Sequence, residues 1–231
     1  MGTDNLHHKR KARQTKDIER QKAQREPYDR VLIVCEDSKS SPAYLRAVCD
    51  ELKLSTANIE IKGEECDSAP ISVVEYAIKL IKKDKGYDQI YCVIDRDQHK
   101  RFQEALEKAK GKKIKMIVSI PCFEYWLLLH FKFTSEVFQA ATGSHCQTVI
   151  STLKQHLSGY DKSELTKYYP LLKPKQEVAI KHAKQRESAC EHEPLEQRNP
   201  YTQLHLLIEC LKHLKDEKQS KEKCSVAKNR D

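Results

Sequence analysis

The chain has 231 residues, 39% of them hydrophobic and 33% charged, with a mean hydropathy of −0.74. That length fits one large domain or two small ones, and no apolar run reaches the roughly 18 to 20 residues that span a bilayer, which excludes an integral helical membrane protein. Lys and Arg number 42 against 34 Asp and Glu, a formal charge of +8 that favours polyanionic partners while being spread over both signs.

Residues 1–26 are rich in Lys and Arg (Lys9, Arg10, Lys11, Arg13, Lys16, Arg20, Lys22, Arg25) and almost free of apolar side chains. Such a segment cannot bury enough surface to fold alone, so it reads as a flexible basic arm, a frayed helix leaning on a nucleic acid or partner, or a solvated tail without a role. Its first eight residues lack the apolar stretch of a signal peptide. Arg30–Cys35 is a short apolar, β-branched run, the mark of a buried strand. Ser41 as N-cap with Pro42 behind it opens a helix carrying Tyr44, Leu45, Val48, Cys49 and Leu52 at helical spacing. Ile59–Ile61 is a weaker strand, and Val73, Val74, Ala77, Ile78 and Ile81 mark a helix that ends near Gly86.

Gln89–Ile94 is a second strong buried strand, followed by a helix through Phe102, Ala105, Leu106 and Ala109 that stops at Gly111. Ile114–Ser119 is the last clear strand. Beyond Pro121 the pattern turns helical: an almost wholly apolar helix over 123–129, then candidates at 153–157, 177–185 and 202–214, the last opened by Asn199-Pro200. Alternating strands and helices imply right-handed crossovers and a mainly parallel four-stranded sheet covered on both faces. The expected architecture is therefore an α/β core over 27–132, a helical C-terminal extension over 133–215 packed on it, and a disordered polar tail over 216–231. Nine cysteines, an odd number with no C-x-x-C pair, read as reduced and partly buried thiols of a cytoplasmic protein.

Ligands of open parallel sheets collect outside the carboxyl ends of the strands. The first strand runs there into Glu36 and Asp37, and the third into Asp95-Arg96-Asp97. Asp-x-Asp at a strand exit turns two carboxylates the same way, because side chains alternate. Paired carboxylate oxygens suit a hard cation, Mg²⁺ or Mn²⁺, and the plainer alternative is a cap on the helix that follows. Lys39, ahead of a helix start, is placed to meet a phosphate. Glu124, in the first turn of the apolar helix, either complements the helix dipole or joins the acidic group. His130 is a core histidine or a phosphate-orienting one.

Four blocks resemble, in order, the signatures of the RloB family: VLIVCEDSKSSPAYL (Val31–Leu45), YDQIYCVIDRD (Tyr87–Asp97), SIPCFEYWLLLHF (Ser119–Phe131) and NPYTQLHLLIECL (Asn199–Leu211). That resemblance implies a Toprim-like, Rossmann-like α/β domain, found in prokaryotic defence loci beside an ABC-type ATPase. It implies Glu36 as general acid/base, Asp95 and Asp97 as Mg²⁺ ligands, and Glu124 of the P-C-F-E block as a further ligand. The first block departs from the family's C-E-G-x-x-T-E, since Asp37 replaces the glycine and Ser40 and Ser41 replace Thr-Glu. Asp37 could stand in for the lost carboxylate.

The implied activity is metal-dependent phosphodiester cleavage of RNA (tRNA included) or DNA by an endonuclease serving antiviral defence. The rival reading is a catalytically degenerate regulatory or binding subunit of the ATPase. Membrane partners are not expected, and homo-oligomerisation is left open.

Overall fold

The computed structural model describes residues 28–63, 69–96 and 101–216. Its centre is a five-stranded sheet in the order β2-β1-β3-β4-β5, with β1 Val31–Cys35, β2 Ile59–Lys62, β3 Gln89–Asp95, β4 Lys115–Ile120 and β5 Tyr201–Thr202. The first four run parallel and β5 pairs antiparallel with β4. β1 is buried at every residue, as a central strand covered on both faces must be. Alternation divides its side chains: Val31, Ile33 and Cys35 join Tyr91, Val93 and Ile117 in one core layer. Leu32 and Val34 join Cys92, Ile94 and Val118 in the other.

Helix α1 (Ser40–Glu51) carries the chain from β1 to β2 and places Tyr44, Leu45 and Val48 in the first layer. Helices α2 (Pro70–Lys83) and α3 (Phe102–Lys110) carry it through β3 to β4, with Val73, Val74, Ala77, Phe102 and Ala105 in the second layer. The winding direction thus reverses between β1 and β3, and the crevice outside their carboxyl ends is where such sheets bind ligands.

The remaining helices are α4 (Glu124–Leu128), α5 (His145–Leu153), α6 (Leu165–Leu172), α7 (Gln176–Ala189) and α8 (Leu204–Lys212), with a 3₁₀ turn at Lys162–Glu164. Trp126, Leu153, Leu165, Ala179 and Leu207 extend the first layer, so the sheet and the C-terminal helices share one core.

Several sequence expectations are corrected. The α/β class holds, with a fifth strand that the pattern hides: Tyr201–Thr202 is two residues long and lies where a helix start was expected. Asn199-Pro200 leads into β5, and α8 begins only at Leu204. The helix expected at 153–157 runs instead from His145 to Leu153, opened by Ser144, whose side chain accepts the Cys146 N–H. Helix α6 carries Pro170 inside it, a residue that breaks the helical pattern of its sequence. The basic arm over 1–26 and the tail from 217 lie outside the described residues. No helix among the described residues is long and apolar enough to cross a membrane.

Gly63, at the exit of β2, touches the turn that follows β1. A Cβ built there would stand 2.7 Å from the Asp37 carbonyl oxygen and 2.9 Å from Pro42 Cγ. Gly63→Ala must therefore push the Asp37 turn aside, at a cost of about 1–3 kcal/mol. Urea denaturation should show that loss, and an unchanged midpoint would mean that the contact is absent in solution.

Candidate active site at the carboxyl rim of the sheet

Glu36 is the first residue beyond β1. Its backbone N–H donates to the Val93 carbonyl at 2.9 Å, which continues the β1–β3 ladder by one step. Its side chain reaches across to β3, where Oε2 accepts the Asp95 N–H at 2.9 Å. The two acids are thereby fixed relative to each other by strand pairing and one further hydrogen bond. Asp97 lies outside the described residues. Arg96, between the two aspartates, engages Glu196 through its carbonyl at 2.7 Å and its carboxylate at 3.9 Å. A cleft of about 380 Å³ opens there, lined by Arg96, Pro121, His145 and Asn199 among others.

Asp95 holds its proton well above the usual carboxylate range. Burial is the larger cause, followed by the negative charges of Glu124, Glu36 and Asp37, with Lys162 acting in the opposite sense. The rim therefore carries carboxylates from the exits of β1, β3 and β4, close enough to act on one another.

Asp37 is turned onto the start of α1. Its carboxylate accepts the N–H groups of Ser40 at 2.6 Å and Ser41 at 3.1 Å, together with both serine hydroxyls. This corrects the expected cap: the helix begins at Ser40, and Asp37, rather than Ser41, satisfies its first amides. Asp37 thus has a structural task that accounts for its contacts. Lys39 is exposed beside this turn.

Glu124 opens α4 and is fully buried. Its Oε1 accepts from the Lys162 ammonium at 3.0 Å, the Tyr160 hydroxyl at 3.2 Å and, at 3.4 Å, Ser40 Oγ. Its Oε2 lies 3.3 Å from Cys146 Sγ. Lys162 holds its proton above the ordinary lysine value: burial works against the charge, and the attraction of Glu124, Asp95 and Asp37 outweighs it. Burial and the Glu124 charge push the Tyr160 hydroxyl upward too.

Lys162 and Tyr160 were not singled out from sequence. The signal was faint: a Ser158-Gly159 turn, in which Gly159 takes φ +69°, presents Tyr160-Asp161-Lys162 toward Glu124, and Asp161 caps the 3₁₀ turn through Ser163. Lysine is too common in this chain for its position to stand out.

Cys122 and Cys146 are joined as a disulfide, with Cα atoms 5.6 Å apart. That corrects the expectation of uniformly reduced thiols. Cys35, Cys49, Cys92 and Cys190 lie outside that disulfide and are buried, as expected. His130 belongs to the core: Nδ1 bonds the Trp126 carbonyl at 3.0 Å and Nε2 meets the Tyr44 hydroxyl at 3.2 Å. Burial lowers its pKa to about 4, which keeps the ring neutral. None of its hydrogen bonds reaches the rim acids.

A family model described as RloB-like protein matches residues 31–211. The chain belongs to the RloB-like family. That span runs from β1 to all but the last residue of α8 and includes every described rim residue. Neither a curated protein nor a solved structure matches the chain.

A buried acid with a raised pKa stabilises the fold fully at pH values below its unfolded pKa and loses that contribution as the pH rises through its folded value. Asp95→Asn should therefore raise stability near pH 7 in the presence of chelator and leave it almost unchanged at about pH 3. Denaturant titrations at both values test this, and a destabilised variant near pH 7 would contradict the charge crowding.

Proposed function

We propose that this chain is a Mg²⁺- or Mn²⁺-dependent phosphodiesterase that cleaves RNA, tRNA included, or DNA. Within the RloB-like family we read it as the cytoplasmic effector of an antiviral defence system, triggered through an ABC-type ATPase partner. The observation that carries the reading is the pairing of Glu36 with Asp95 at the reversal point of the sheet, within a surplus of negative charge that raises the Asp95 pKa.

The donor set fits a hard divalent ion. Carboxylates stand at two neighbouring strand ends, and the repulsion that raises the Asp95 pKa is relieved by added positive charge. Asp95, with Asp97 two residues on in sequence, would hold the ion beside Glu36. When bound, such an ion supplies positive charge against a scissile phosphate and makes a coordinated water more acidic. Glu36 accepts or delivers the proton in that reaction, its carboxylate held in place by the Asp95 amide. Lys162 counters part of the rim charge from inside, so the acids can remain together without collapsing the turn. Exposed Lys39 meets the nucleic-acid backbone, a contact that weakens steeply with salt.

Glu124 is committed elsewhere. Its Oε1 is held by Lys162 and Tyr160, so it anchors Lys162 in preference to sharing the Asp95 cation.

The second reading, a regulatory or binding subunit, is favoured by one feature. Asp37 caps α1, and Ser40 and Ser41 occupy the places of the family's Thr-Glu, so the first motif supplies one catalytic carboxylate fewer. Such a protein would bind Mg²⁺ without turning over nucleic acid.

Purified chain incubated with labelled tRNA and plasmid DNA should cleave at least one of them with Mg²⁺ and neither with chelator. Glu36→Ala and Asp95→Ala should lower the rate by about 10²-fold or more while circular dichroism shows the fold unchanged. Full activity in both variants would end the nuclease reading, and Mg²⁺ binding with no cleavage of any substrate would establish the regulatory one.

A further inference from the structure

Cys122, Glu124 and Cys146 come from two separate segments, the entry to α4 and the first turn of α5. One ligand atom from each lies within 4.8 Å of the others, and all three residues are buried. We infer that the reduced form of this cluster is a binding site for a thiophilic divalent ion of the Zn²⁺ type, separate from the hard-ion position at Asp95.

The chemistry of the donors selects the ion. Two thiolates and one carboxylate oxygen are a poor set for Mg²⁺ and a good one for Zn²⁺, which takes sulfur and carboxylate ligands in tetrahedral geometry. Three protein ligands leave a fourth position for water. The two oxygens of Glu124 are already divided in the way a ligating carboxylate requires. Oε2 faces Cys146 Sγ at 3.3 Å, while Oε1 is held by Lys162 at 3.0 Å and Tyr160 at 3.2 Å. Those two side chains would serve as outer partners that fix the carboxylate's orientation.

Charge decides whether so buried a site is tolerable. Two thiolates and a carboxylate bring three negative charges into an interior that penalises unpaired charge. A dication and the Lys162 ammonium, which is 3.8 Å from Cys146 Sγ, balance them. Lys162 is itself 38% exposed along its side chain, which gives the cluster a route to solvent. The disulfide form cannot bind the ion. A dithiol reductant must first pass two electrons and two protons to the Cys122–Cys146 bond, becoming a disulfide itself, and the incoming ion then displaces the two thiol protons.

The test uses the full chain, reduced with a dithiol and freed of reductant without air, then titrated with Co²⁺ as a coloured stand-in for Zn²⁺. Intense sulfur-to-cobalt charge-transfer absorption should appear, be bleached by Zn²⁺, and be lost in Cys122→Ser and in Cys146→Ser. Cys190→Ser, outside the cluster, should keep it. Absence of the absorption in the unaltered chain, or its survival at full intensity in both cluster variants, would overturn the site. Should those variants fail to fold, iodoacetamide labelling of the unaltered reduced chain decides the matter. Zn²⁺ should protect Cys122 and Cys146 from alkylation, and equal labelling with and without Zn²⁺ would rule the site out. None of these readouts depends on nuclease activity.

Discussion

Negative charge gathered where three parallel strands end is the constraint around which the rest of this molecule is arranged. Glu36 and Asp95 are placed there by the pairing of β1 with β3 and held together by the Asp95 amide. Asp37 and Glu124 add charge from either side, and Asp95 records the crowding in its raised proton affinity. Like charges at this spacing are stable only when something opposes them. Inside the fold that part falls to Lys162, whose ammonium is drawn toward Glu124, Asp95 and Asp37 together. The remainder is the opening for a bound cation.

The C-terminal helices acquire a purpose in this light. The segment between α5 and α6 carries Tyr160 and Lys162 to Glu124 at the rim, and α6 packs against α1, the helix whose start Asp37 caps. A parallel sheet alone would leave the rim acids facing one another. The extension supplies the counter-charge, and it does so from the same core layer that contains Trp126 and Leu207.

Much of this was legible in the sequence where the signal is local. Three of the four parallel strands announce themselves as apolar runs and β2 more weakly, and their order with intervening helices implies the winding that brings Glu36 and Asp95 to one edge. What stayed hidden depends on geometry that no residue pattern encodes, most of it contacts between distant segments. β5 has two residues and no period of its own; it exists because β4 offers an edge. Asp37 looked like a substitute ligand, yet its carboxylate satisfies the first amides of α1, a task visible only once the turn is built. The pairing of Cys122 with Cys146 across 24 residues cannot be deduced from spacing, and neither can the approach of Lys162 to a glutamate 38 positions earlier. Glu124 was recognisable as important; that its partner would be a lysine was not.

The most direct measurement of the central claim follows the Asp95 carboxyl carbon by NMR across a pH titration, with and without Mg²⁺. Without the ion, Asp95 should titrate above the ordinary carboxylate range because burial and its acidic neighbours favour the proton. With Mg²⁺ the midpoint should fall, since the cation competes for the same oxygens. A titration that begins in the ordinary range, or one that Mg²⁺ leaves in place, would contradict the account.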